Sequence, residues 1–203
     1  MQQVLVPRER LERWVANFAA RHGGGYGLTT GTGGIFGLAP DGSTFHARLP
    51  FDIQYDGPAE VDAFAAAIVL PDDWGVLLVR KGGFAVARLA GERLVASKTG
   101  QRHVQGRTKA GGQSQQRFAR RRDNQARQAY EAAADHAARI LGEGAPRVVT
   151  GGDHPAIDDV LTDPRLRHVT VDERWLAVAD PRRGVLEQAI LDAASVWVQV
   201  DNA

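Results

Sequence analysis

Leu11, Trp14, Val15 and Phe18 recur at three- and four-residue spacing behind Pro7, so the chain opens on a predicted helix over 7–21. The period then shortens. From Gly23 to Phe51 glycines punctuate β-prone pieces, and Ala39-Pro40-Asp41-Gly42-Ser43 is a turn signal between Ile35–Leu38 and Thr44–Leu49. These predict a small hairpin or meander. Residues 52–58 read as a connection and 59–70 as a helix.

Three strand-like runs follow, 75–80, 84–89 and 93–97, with turns at Lys81-Gly82-Gly83 and Ala90-Gly91-Glu92. They predict an antiparallel meander. A long helix is predicted over 114–141, with Phe118, Ala126, Ala129, Ala133, Ala137 and Ile140 on one face and Gly142 as its stop. The tail alternates between strand (147–150), helix (155–161), strand (168–171) and a final helix (185–200) carrying Leu186, Ile190, Ala193 and Trp197 on one side. Antiparallel strands followed by alternating helices and strands predict an α/β fold, a mixed β-sheet flanked by helices. Residues 1–73 read as a helix and β-hairpin extension packed on a main domain of residues 74–203.

Composition narrows the class. At 203 residues, 43% hydrophobic and 24% charged, the chain suits one globular domain with an extension. It has no cysteine, which excludes disulfides, a thiolate nucleophile and Cys-ligated zinc and agrees with a reducing cytoplasm. Residues 1–10 lack an apolar signal core, and the longest apolar run, 64–70, is too short to cross a bilayer. The expectation is a cytoplasmic monomer away from membranes.

Charge is unevenly placed. Between Lys98 and Arg127 there are nine basic residues and one acid, Asp123, a net +8. The whole chain carries +1, so the remainder carries −7. A concentrated basic segment on a mildly acidic body predicts an anionic partner, most often nucleic acid.

Within that segment lies Gly111-Gly112-Gln113-Ser114-Gln115-Gln116-Arg117-Phe118-Ala119-Arg120-Arg121-Arg122. The two glycines let another molecule approach the backbone. Ser114 suits the start of the helix, which leaves the Gln113 N–H at the positive end of its dipole. The arginines can reach phosphates without reading sequence. Between Lys98 and Arg122 there is no Asp, Glu, Cys or Tyr, and His103 is the one near-neutral base, so no carboxylate pair or activated hydroxyl is evident. What remains is an N–H and an amide, able to stabilise charge on an oxygen and to orient a water.

A Gly-Gly-Gln triplet alone is weak, since a chain this rich in Gly and Gln yields roughly 0.15 by chance. The extended string Gly-Gly-Gln-Ser-x-x-Arg-Phe-Ala-Arg-x-Arg resembles the motif of eukaryotic and archaeal class I peptide release factors. The order of hairpin 74–89, long helix, strand 147–151 and following helix is similar too, across roughly 74–203. Those factors also need a codon-reading domain. Here there is no Asn-Ile-Lys-Ser, the absence of cysteine excludes Tyr-x-Cys-x-x-x-Phe, and the length leaves no room for two further domains. The chain therefore resembles the Vms-type release-factor-like peptidyl-tRNA hydrolases, in their short bacterial branch. There the second residue of the triplet is often Ser or another small residue, whereas here it is Gly112.

That resemblance implies an RNase H-like sheet and a codon-independent peptidyl-tRNA hydrolase of ribosome rescue. Gln113 would enter the peptidyl transferase centre, its N–H stabilising the 3′-oxygen of tRNA and its amide positioning water. Gly111 and Gly112 would permit that backbone shape. Arg107, Lys109, Ser114, Arg117, Arg120, Arg121 and Arg122 would lie against ribosomal RNA or the tRNA acceptor end. The implied partners are the large ribosomal subunit and peptidyl-tRNA.

Two other functions stay open at this point, a nuclease acting near the tRNA 3′ end and a non-catalytic ribosome- or RNA-binding module. Gly23–Gly34 lacks the Gly-Lys-Ser/Thr ending of a phosphate loop and reads as hairpin turns, although Thr29–Thr32 could touch RNA. His22, His46, His103, His136, His154 and His168 are scattered, and Asp153, His154, Asp158 and Asp159 fit a helix start, so no metal and no cofactor are assigned. Trp14, Trp74, Trp175 and Trp197 are expected in packing roles.

Overall fold

The computed structural model describes residues 2–101, 113–144 and 146–203, with residues 113–126 described as helical backbone alone. The chain separates into two compact units, residues 1–70 with 191–203, and residues 71–190.

The first unit is an antiparallel sheet with helices on one face. It comprises β1 (Gln2–Val6), α1 (Leu11–Arg21), β2 (Gly27–Gly31), β3 (Gly34–Leu38), β4 (Thr44–Arg48), the short α2 (Val61–Ala66) and, from the far end of the chain, β10 (Val196–Asp201). The strand order is β1-β10-β4-β3-β2. The predicted meander is thus one side of a five-stranded sheet, with β2 at its edge. Leu11, Val15 and Phe18 of α1 and Phe64 of α2 pack with Ile35, Phe45, Ala47, Val196 and Val198 in its core. Gly37 is required there because a Cβ would run into the Phe45 ring. Helix α2 is shorter than the expected 59–70, since Glu60 is extended and Ala67 closes the helix ahead of Pro71.

Two corrections fall in this unit. Residues 196–200 are a strand, not the end of a helix. Helix α5 (Arg183–Ala193) ends earlier, with the Ser195 hydroxyl donating to the Leu191 carbonyl at 2.7 Å. The run Val-Trp-Val-Gln-Val then alternates, its valines against the core and Trp197 and Gln199 on the other face. Pairing with β1 on one side and β4 on the other satisfies its backbone on both edges. Strand β1 was not expected, because two of its five residues are glutamines and only the partner strand reveals the alternation.

Tyr55 is buried against this core, with its hydroxyl donating to the Pro58 carbonyl at 2.7 Å and its ring edge-on to Phe64. Tyr55→Phe removes one donor and orphans one carbonyl. Chemical denaturation should show a loss of about 1 kcal/mol.

The second unit holds β5 (Trp74–Arg80), β6 (Gly83–Ala90), β7 (Arg93–Gln101), α3 (Gln113–Leu141), β8 (Arg147–Gly152), α4 (His154–Leu161) and β9 (Thr170–Leu176), and most of α5. Its strand order is β7-β6-β5-β8-β9. Strand β6 is antiparallel to both neighbours, while β8 runs parallel to β5 and β9. This is the expected mixed sheet. Central β5 is buried from Trp74 to Val79, which explains its unbroken apolar run. Ala133, Ala137 and Leu141 of α3 and Ile157 and Val160 of α4 join Leu77, Val79, Val86 and Val148 in the core. Alanines in the contact stripe of α3 let a long helix lie close to the sheet.

Strand β9 begins and ends later than the predicted 168–171. Its sequence Thr-Val-Asp-Glu-Arg-Trp-Leu carries three consecutive charged residues, which hide the alternation on this edge strand. Asp172 is buried there, beside the Arg147 guanidinium at 3.6 Å and accepting from the Arg174 N–H at 2.9 Å.

Candidate functional site

The basic segment leaves β7 at Gln101 and re-enters described structure at Gln113, the first residue of α3. Gly111, Gly112, Arg107 and Lys109 lie outside the described residues. Gln113, Ser114, Arg117, Arg120, Arg121 and Arg122 lie on the helical backbone of α3, and their side chains are outside the description. The same holds for Phe118 and Ala126 of the predicted apolar face.

Helix α3 has 29 residues, an axial length of about 44 Å. Its described buried positions, Ala129, Ala133, Ala134, Ala137 and Leu141, all fall in the last thirteen residues. Rotation of about 100° per residue puts the backbone positions of Gln113, Arg117 and Arg120 on the side opposite the line through Ala129, Ala133 and Ala137. Gln113 therefore starts a helix whose far half is held by the sheet, with its free N–H groups at the positive end of the dipole.

Two local devices seat that helix, and neither was foreseen from sequence. The first is Phe84 on β6. It stacks on His136 of α3 with ring centroids 5.3 Å apart, and Gly100 of β7 lacks the side chain that would collide with its ring. Phe84 thus wedges β7 against α3, the two elements from which the basic segment departs and returns. Burial, then Arg139 and Lys98, push the His136 imidazole below its usual range.

The second device is Arg88, also on β6. Its Nε and Nη2 donate to both Asp73 carboxylate oxygens at 2.8 and 2.9 Å. Its Nη1 donates to the Leu141 carbonyl at 3.3 Å and its Nη2 to the Glu143 carbonyl at 2.6 Å. One guanidinium closes the C-terminal end of α3, where carbonyls lack helical partners. The sequence signal was a lone arginine inside the apolar run Phe84–Ala90.

The described flank of α3 has the opposite charge character. A cleft of about 750 Å³ is lined by Arg127, Tyr130, Glu131, Asp135, Asp159, Asp163 and Arg165, among others. Four acids outnumber two arginines, so this cleft repels phosphate. Arg165 bridges Asp163 and Asp135 at 2.6 and 2.7 Å. Hydrogen bonds from the Arg165 side chain, then from its N–H, hold the Asp163 carboxyl at about 2. The folded value lies below the ordinary value near 3.9, so this contribution is complete above about pH 4 and lost as pH falls toward 2. Arg165 is 54% exposed, which screens the pair. Asp163→Asn should therefore cost under about 1 kcal/mol at neutral pH and flatten the stability profile between pH 4 and 2 in thermal melts.

Asp153 and His154 have structural partners. Asp153 precedes α4 and lies 3.4 Å from the Arg80 guanidinium, and His154 stacks on Trp175 at 3.5 Å. Among the described residues, no group of three or more His, Asp or Glu is placed to hold a metal ion. No described helix is long and apolar enough to cross a membrane.

Comparison with known proteins bears on the second unit most directly. Residues 72–199 match the family model described as Actinobacteria/chloroflexi VLRF1 release factor. No curated protein matches. Among solved structures, the chain is similar to an archaeal translation termination factor, aRF1, at 14% identity over 77% of this chain and 48% of that one, with a TM-score of 0.40. It is also similar to the Vms1 mitochondrial localization core at 11% identity over 93% of this chain and 80% of that one, with a TM-score of 0.39. The chain thus spans about half the length of the archaeal factor.

Proposed function

The chain belongs to the Actinobacteria/chloroflexi VLRF1 release factor family, and from that premise we propose that it is a codon-independent peptidyl-tRNA hydrolase acting on stalled ribosomal complexes. The observation that carries this reading is Gly111-Gly112-Gln113 joined without a break to a long helix whose first turns are rich in arginine. The reaction is hydrolysis of the ester between the nascent chain and the tRNA 3′-oxygen. Water oxygen bonds to the acyl carbon, the ester C–O bond breaks, and the water proton ends on the departing 3′-oxygen.

In this reading the Gln113 N–H donates to the oxygen that gains negative charge, and its side-chain amide orients the water. Gly111 and Gly112 allow the close backbone approach. Arg107, Lys109, Ser114, Arg117, Arg120, Arg121 and Arg122 hold the segment against RNA phosphates. The ribosome supplies the remaining walls of the site, which accounts for the lack of a conventional acid, base or nucleophile near the motif. No metal or cofactor is assigned, and the working compartment is the cytoplasm.

The test is incubation with purified large subunits carrying labelled peptidyl-tRNA, followed by analysis of both products. Free peptide and a tRNA with an intact CCA end are expected. A shortened tRNA would replace the hydrolase with a 3′-end nuclease. Salt-sensitive binding without turnover would reduce the chain to an RNA-binding module.

A further inference from the structure

We propose that Phe84 is a positioning residue for peptide release: packed against both Gly100 and His136, its ring sets the angle of α3 and so the place at which Gln113 arrives. This deepens the hydrolase reading and rests on it for its consequence, while the geometry behind it belongs to the second unit alone.

The ring sits where β6, β7 and α3 meet. Phe84 is opposite Gly100 in the β6–β7 register and is 6% exposed. It stacks on His136 with ring planes 24° apart and centroids 5.3 Å apart. Gly100 is not a glycine for the sake of its backbone, since its φ lies outside the left-handed region. It is a glycine for want of room, because a Cβ would run into Cε1 and Cζ of Phe84. A glycine inside a strand loses conformational entropy and packs nothing, so this one is explained by the ring it admits. Ala133 and Ala137, on either side of His136, bring only methyl groups to the same core. The ring and the imidazole are therefore the thick part of the contact. An interior as close-packed as an organic crystal transmits a change in that thickness rather than absorbing it.

The length of the helix magnifies any such change. Leu141 is fully buried and pins the C-terminal end of α3. His136 lies about 7.5 Å before it along the axis, and Gln113 about 42 Å. Ala129 is the described buried position nearest to Gln113, and it is still about 24 Å short of it. With α3 moving as a rod about Leu141, a shift of about 1 Å at His136 becomes about 6 Å at Gln113. Placing a reacting group to about 1 Å then requires the Phe84 contact to hold α3 to about 0.2 Å. A flat ring suits that demand, because it has one thickness, whereas an aliphatic chain changes shape with its rotamer.

The test uses the full chain. It contains no cysteine, so Gln116→Cys on α3 and Glu173→Cys on β9 place a single pair of spin labels within the second unit. Gly100→Ala drives a methyl group into the ring and should change the distance between the labels by about 3 Å or more. Single-turnover release at saturating large subunits carrying peptidyl-tRNA should fall by about tenfold or more, with the half-saturating subunit concentration unchanged. Adding Phe84→Leu should restore the distance and bring release to within about twofold of the parent, because leucine has neither Cε1 nor Cζ. If Gly100→Ala does not fold, Phe84→Leu alone thins the contact and is read in the same two ways. A parental distance in these variants overturns the proposal, and so does a shifted distance with parental release. A folded double variant that restores neither quantity overturns it as well. A lowered melting temperature with distance and release unchanged is the signature of a merely structural role and counts against it. A parent chain that releases no peptide overturns the hydrolase reading instead, and the distance alone then decides whether Phe84 sets the angle of α3.

Discussion

Gln113→Ala should lower peptide release from ribosome-bound peptidyl-tRNA by about a hundredfold or more while leaving the melting temperature unchanged. Alanine keeps the backbone N–H and removes the amide, so the predicted loss is that of water positioning, where a misplacement of about 1 Å can cost about 10²-fold. Stability is spared because Gln113 is the first residue of α3 and alanine is a good helix former. Binding to the large subunit should persist, since the phosphate-directed charges remain. Single-turnover release with pelleting of bound protein separates these effects. Undiminished release by the alanine variant would sink the mechanism.

Arg88→Ala should behave in the opposite way, costing about 3 kcal/mol of stability while sparing the chemistry. The side chain is 23% exposed and Asp73 34%, so the pair is partly screened. The loss nevertheless leaves a carboxylate without its bidentate partner and two carbonyls at the end of α3 without a donor. Chemical denaturation gives the stability, and release measured well below the melting temperature gives the activity. Together these two expected results would separate the proposed reactive end of α3 from the end that is held. Near-parental stability of Arg88→Ala would show that α3 is seated by its alanine stripe and Phe84 alone.

The second unit was legible in sequence because its signals are local and strong. An unbroken apolar β5, tight glycine turns and the alanine-lined period of α3 each specify an element without reference to distant residues. The edge strand β9 was harder, because three charged residues mask its alternation. The candidate site was legible as a motif, in Gln113 and the arginines behind it. Its supports were not. Phe84, His136 and Gly100 are ordinary residues whose meaning comes from meeting, and Arg88 gains its partners across 15 to 55 residues of chain.

By itself the sequence determined most element types of the second unit, its mixed sheet and the place of the Gly-Gly-Gln triplet at the start of a long helix. Only the tertiary structure decided that residues 196–201 leave a helical pattern and become a strand between β1 and β4, completing a sheet begun at the other end of the chain. The physical reason is range. Periodicity and turn chemistry act over a few residues, whereas the choice between helix and strand for Val-Trp-Val-Gln-Val depends on two open sheet edges, β4 and β1, that the chain brings to it from about 150 and nearly 200 residues away.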